Sequence, residues 1–130
     1  MISLLTLLGC AGERPATLGA QNGQLGTCPD SPNCVSSNDV RESHNITPLS
    51  ATLSAVREAV RQMPGAQIIR EDGNYLYAEF TTRLMGFVDD VEFLADPAAG
   101  VVHVRSASRL GKSDLGVNRK RIEAIRLAVQ

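Results

Sequence analysis

Leu49, Leu53, Val56, Val60 and Met63 recur every three or four positions, the spacing of one helical face. Ser50 stands before them as a cap, Pro48 suits the entrance, and Pro64-Gly65 stops the run, which predicts a helix over about 50–63. Four strand-like runs follow: Ala66–Glu71, Tyr75–Thr81, Phe87–Leu94 and Val101–Ser106. In the second, Leu76, Ala78 and Phe80 share one face, and Tyr75, Tyr77 and Glu79 the other. In the third, Phe87, Asp89, Val91 and Phe93 share a face. Asp72-Gly73-Asn74 reads as a hairpin turn, and Asp96–Gly100 as a second turn. Leu115, Asn118, Ile122, Ile125 and Val129 mark a C-terminal helix entered at Ser113 or Asp114. The expected fold is α+β: a four-stranded antiparallel sheet with an N-terminal and a C-terminal helix packed on one face.

The first third of the chain breaks these patterns. Residues 2–8 are almost wholly apolar, far short of the roughly 20 residues a membrane-spanning helix needs. The run fits the apolar part of a signal peptide. Leu7-Leu8-Gly9-Cys10 resembles the bacterial lipobox, in which the cysteine is diacylated and becomes the new N-terminus, although no Lys or Arg precedes the run. A buried N-terminal strand with a free thiol is the competing reading. Ala11–Thr27 holds four glycines and no periodicity and reads as a flexible tether. The organisation expected is therefore signal peptide over 1–9, lipidated Cys10 with a tether over 10–27, and one domain over 28–130.

Composition sharpens the picture at three points. With 130 residues and 43% hydrophobic content, one small core is expected. Trp is absent, so Phe80, Phe87 and Phe93 are its bulky members. The formal net charge of −1 gives no whole-chain field for nucleic acid. Charge is segregated, however. Glu71–Asp96 carries seven acids and one base, whereas seven bases follow Val101.

Three cysteines occur. With Cys10 lipidated, Cys28 and Cys34 flank Pro-Asp-Ser-Pro-Asn, and an exported compartment favours a structural disulfide between them. The alternatives are a redox pair and a metal site with His44 and His103. For both, the Cys–Cys spacing is poor.

Arg105, Ser106, Ser108, Arg109, Lys112 and Ser113 lead into the C-terminal helix. Such a set at a helix start suits an anion-binding pocket. The alternative is an internal clamp in which Arg105 and Arg109 pair with Asp89, Asp90 or Glu92 while Asp114 caps the helix. Asp89 falls on an apolar face, where an unpaired charge is costly to bury, so an arginine partner for Asp89 or Asp90 is expected. The carboxylates could instead act as acid and base or hold a divalent cation. His44 and His103 are possible proton carriers. No nucleophile elbow is present, and no cofactor or resident metal is expected.

Cys28-Pro-Asp-Ser-Pro-Asn-Cys-Val-Ser-Ser37, Val88-Asp-Asp-Val-Glu-Phe93, Arg105-Ser-Ala-Ser-Arg109, Gly111-Lys-Ser-Asp114 and Gly116-Val-Asn-Arg-Lys-Arg121 together resemble the domain of unknown function family 1499. The resemblance covers about residue 25 to the end. It implies a bacterial or plastid-type protein, often exported or membrane-attached, with no agreed activity. The leading functional expectation is a non-enzymatic envelope lipoprotein on the periplasmic side. Its partners would be the membrane, through the lipid, and an envelope protein or anionic small molecule, but no nucleic acid. Ala11 after Cys10 favours the outer membrane. The rival is a small hydrolase using the Asp and His residues.

Overall fold

The computed structural model describes residues 11–83 and 86–130. The proposed signal peptide and Cys10 lie outside the described residues. The elements are β1 (Cys34–Ser36), α1 (Leu53–Arg61), β2 (Ala66–Asp72), β3 (Tyr75–Thr81), β4 (Val88–Asp96), β5 (Val101–Ser108) and α2 (Val117–Ala128). They form an α+β fold with one antiparallel sheet, ordered β1-β5-β4-β3-β2.

The sheet has five strands rather than four. The extra one, β1, is only three residues long, too short to show an alternation in sequence. It is defined by its partner, with Cys34 opposite Ala107 and Ser36 opposite Arg105.

Both helices begin later than their apolar spacing suggests, each for a local reason. Leu49 exchanges two backbone hydrogen bonds with Val102 and so is held extended. The cap of α1 moves to Thr52, whose hydroxyl accepts from the Ala55 N–H at 3.1 Å. Before α2, Leu115 (φ 54°) and Gly116 (φ 78°) are left-handed, which defers the helix to Val117. Between α1 and β2, Gly65 takes φ 77°, and a Cβ there would overlap the Thr81 carbonyl oxygen. Only glycine fits that turn.

The core lies on the inner face, between the sheet and both helices. Leu76, Ala78 and Phe80 of β3, Val91 and Phe93 of β4, and Val102 and Val104 of β5 meet Val56 and Val60 of α1 and Ile122 and Ile125 of α2. Phe87, expected in the core, precedes β4 and is exposed.

The outer face is covered as well. The Ala11–Thr27 stretch, expected to be a free tether, lies along it as a strap. Leu25 is buried against Tyr75 and Tyr77, with Leu18 packed beside them. The Leu25 N–H donates to Asn38 Oδ1 at 3.1 Å, and the Gly19 N–H to Glu92 Oε2 at 2.7 Å. The physical reason is that the outer face presents two tyrosine rings, and these need an apolar cover that the helices do not supply.

Candidate functional site

Strand alternation sorts the charged residues into two separate sets. On the outer face, β3 contributes Tyr75, Tyr77 and Glu79, β4 contributes Asp90 and Glu92, β5 contributes Arg105, and Arg109 follows directly after β5. Asp90 and Glu92 are almost fully buried. Arg109 Nη2 donates to Asp90 Oδ1 at 2.8 Å, Nε donates to Oδ2 at 3.0 Å, and the same guanidinium reaches Glu79. Glu92 accepts from the Tyr75 hydroxyl at 2.6 Å and from the strap at Gly19. Arg105 stands 3.9 Å from Glu92 and donates to the Thr27 carbonyl at 3.2 Å. Arg14, from the strap, closes on Glu79 at 2.9 Å.

Buried charges are retained where they are paired and hydrogen-bonded, which describes this layer. Burial, followed by donation to Glu92, pushes Tyr75 well above the ordinary tyrosine range. Burial and donation to Asp90 do the same to Tyr77. Both phenols therefore stay protonated as donors. Burial is the largest influence on Glu79 and opposes its ionisation, yet hydrogen bonds from Arg14, Arg109 and Tyr77 outweigh it and hold the carboxyl below its usual value.

The second set lies under the N-terminal end of α2. Asp89 is buried on the inner face, as its strand position predicts. Its partner is Arg121, at 2.6 Å, rather than Arg105 or Arg109. Those two face outward, whereas Arg121 comes from the helix that covers the inner face, and its guanidinium also stacks 4.8 Å from the Phe80 ring. Asn118, fully buried, is the hub. Its amide nitrogen donates to Ser108 Oγ at 2.9 Å, to the Asn33 carbonyl at 3.1 Å and to Asp114 Oδ2 at 2.8 Å. Its Oδ1 accepts from Ser106 at 2.6 Å and from Arg121 at 2.8 Å. The sequence signal for this hub was an asparagine at an apolar-stripe position of a helix.

The candidate anion pocket is not assembled. Ser106 and Ser108 point to the inner face, Arg105 and Arg109 to the outer, and Lys112 and Ser113 are exposed on the connecting loop. The N-terminus of α2 already holds an anion. Asp114 accepts from the Gly116 N–H at 2.8 Å and the Asn118 N–H at 3.0 Å. Burial opposes that carboxyl most strongly, but these bonds prevail and lower its pKa. The internal clamp is what the geometry supports, with Asp89, Asp90 and Glu92 all in structural pairs.

The remaining candidates are also committed. Cys28 and Cys34 form a disulfide. His44 Nδ1 lies 3.0 Å from the Cys34 carbonyl oxygen. His103 Nδ1 lies 3.0 Å from Ser37 Oγ, but that hydroxyl also accepts from the Val104 N–H and donates to the Val104 carbonyl, as a strand bracket does. These four residues do not share a metal site, and no group of three or more potential ligands occurs among the described residues.

Over residues 24–129 the chain matches the family described as protein of unknown function (DUF1499). The chain belongs to that family. No curated protein and no solved structure matches it. The matched region of the DUF1499 domain holds every strand and helix, while Gly12, Arg14 and Gly19 of the strap precede it.

Two adjoining clefts open at the end of the DUF1499 sheet where β4 begins and β5 ends. One, of about 340 Å³, is lined by Phe87, Val88, Asp89, Ser108, Leu110 and Leu115, among others. The other, of about 760 Å³, is lined by Met63, Phe80, Arg83, Lys120 and Arg121, among others, and shares Thr82 and Val117 with the first. Phe87, Leu110, Leu115 and Val117 are exposed around this end. Phe87, expected in the core, and Leu115, expected on the apolar stripe of the C-terminal helix, both stand at this rim.

Proposed function

We propose that this chain is a cell-envelope lipoprotein, acylated at Cys10, whose DUF1499 domain is a non-enzymatic accessory module that binds a partner on the periplasmic side of a membrane. One observation carries the non-catalytic half of the reading: the groups available for acid–base work are tied to structural partners on two separate faces. Asp89 is held by Arg121, Asp90 by Arg109, and Glu92 by Tyr75 and the Gly19 amide. A general acid or base must reach a substrate proton within hydrogen-bond distance, and these carboxylates spend their lone pairs inside the fold. The apolar leader, the lipobox-like Leu7–Cys10 and an oxidised cysteine pair support the envelope half.

The full-length protein should incorporate a clickable palmitate analogue, and Cys10→Ser should abolish both the label and detergent-dependent extraction from membranes. A soluble cytoplasmic chain with Cys28 and Cys34 reduced would overturn the reading. So would turnover of a chromogenic ester, phosphate, glycoside or peptide substrate that is lost in Asp90→Asn, since that outcome restores the hydrolase.

A further inference from the structure

We propose that the apolar rim formed by Phe87, Leu110, Leu115 and Val117 is a membrane-contact surface, seated at the headgroup and acyl-chain boundary of an anionic bilayer. The inference rests on the lipoprotein reading above and adds the orientation of the domain and the class of surface it touches.

The path of the chain is the first argument. Gly12 packs on Leu110 so closely that a Cβ would come within 3.1 Å of the Leu110 Cγ and 3.4 Å of the Arg109 Cβ. Cys10 is two residues before Gly12 in the sequence, and a two-residue link spans at most about 8 Å. A lipid on Cys10 is therefore tied to the Leu110 side of the domain by a short link. From Gly12 onward the strap is fixed to the outer face through Arg14 on Glu79 and Gly19 on Glu92. Only Ala11 separates the anchor from the bound strap, so the domain has no slack with which to stand away from the lipid.

The chemistry of the rim is the second argument. Among the described residues, four of the six exposed large hydrophobics are these four side chains. Arg83, Lys112 and Lys120 are exposed in the same segments. Apolar side chains interleaved with cations suit the headgroup and acyl-chain boundary of an anionic interface. The acids lining the smaller cleft, Asp89 and Asp114, are consumed by Arg121 and by the start of α2, so they do not repel phosphate headgroups at full strength.

The third argument is backbone strain. Leu115 is 86% exposed and sits at φ 54° between Asp114 and Gly116. A left-handed leucine that buries nothing is doubly unfavourable in an isolated domain, and such strain concentrates at functional surfaces.

Because the chain contains no Trp, a single introduced Trp is a site-specific reporter. Leu115→Trp places it at the rim. Ala98→Trp places it at the far end of the β4–β5 hairpin, roughly 25 Å away at about 3.3 Å per strand residue. Each full-length acylated protein is reconstituted into phosphatidylcholine vesicles containing phosphatidylglycerol, with or without brominated acyl chains. The expected result is a blue shift and loss of emission for Leu115→Trp and neither for Ala98→Trp, with the loss weakened when phosphatidylglycerol is omitted. Unquenched, red-shifted emission from Leu115→Trp overturns the proposal. A dimer whose Leu115→Trp emission is blue-shifted but untouched by brominated chains also overturns it and assigns the rim to a second copy. Acyl labelling of the same samples separates the two claims. If Cys10 carries no acyl group the anchor reading fails by itself, and quenching of the unanchored chain on the same vesicles still supports the rim.

Discussion

The inner face of the sheet is sealed by hydrocarbon, with Leu76, Phe93, Val102 and Val104 under two helices. The outer face is sealed by two tyrosines, Asp90, Glu92, Arg105 and Arg109 under a single extended strap. The first arrangement stabilises through area removed from water and tolerates imprecise partners. The second stabilises only while each charge keeps its counterpart, because desolvation of an ion costs more than its packing returns. The comparison teaches that one face is a general core and the other a specific one, whose lid is the segment that carries the chain to Cys10.

The sharpest way to break this contrast is to truncate one residue on each face. Phe93→Ala should cost about 3–5 kcal/mol, as large-to-small core changes do. Arg109→Ala, which strands Asp90 under the strap, should cost about the same. The faces differ in how they are repaired. Arg109→Met combined with Asp90→Leu should recover most of the loss in urea denaturation, because the charge and its partner leave together. If the double variant is no better than Arg109→Ala, the outer face is not held by paired charges.

Leu25→Ala should cost about 2–3 kcal/mol by opening the strap's apolar contact. Its signature is faster hydrogen exchange at Gly19 and Leu25, with β3–β5 still protected. Replacing Cys28 and Cys34 together with Ser should cost about 2 kcal/mol from loop entropy, read as a lower melting temperature with the fold retained.

The smallest effect is that of acid. Glu79 and Asp114 are held below their ordinary pKa, as is Asp39, whose strongest influence is its hydrogen bond from Arg41. Groups depressed in the folded state add stability that is complete above the unfolded value, near 4, and lost as the pH falls through the folded value. Melting temperature should therefore decline below about pH 4, and Glu79→Gln should flatten the decline.

The inner face was legible because alternation in β3 to β5 and the three-and-four spacing of both helices announce it. The acids at Asp89 and Asp90 were legible as needing arginines, since no other residue type offers a fixed double donor. Arg121 as the partner of Asp89 was hidden, because it requires knowing which helix covers which face. The strap was hidden for another reason. Leu18 and Leu25 are isolated apolar residues among glycines, and only the Tyr75 and Tyr77 rings give them a place to bind. The anion pocket failed on strand geometry, which points Ser106 and Arg105 in opposite directions.

The central claim is that residues 12–27 are part of the folded domain, packed on the outer face of the sheet. Amide hydrogen exchange on the full-length protein tests it most directly. Gly19 and Leu25, which donate to Glu92 and Asn38, should exchange slowly, at rates approaching those of β3. Exchange of both amides at the rate of an unstructured peptide, with β3 protected, would contradict it.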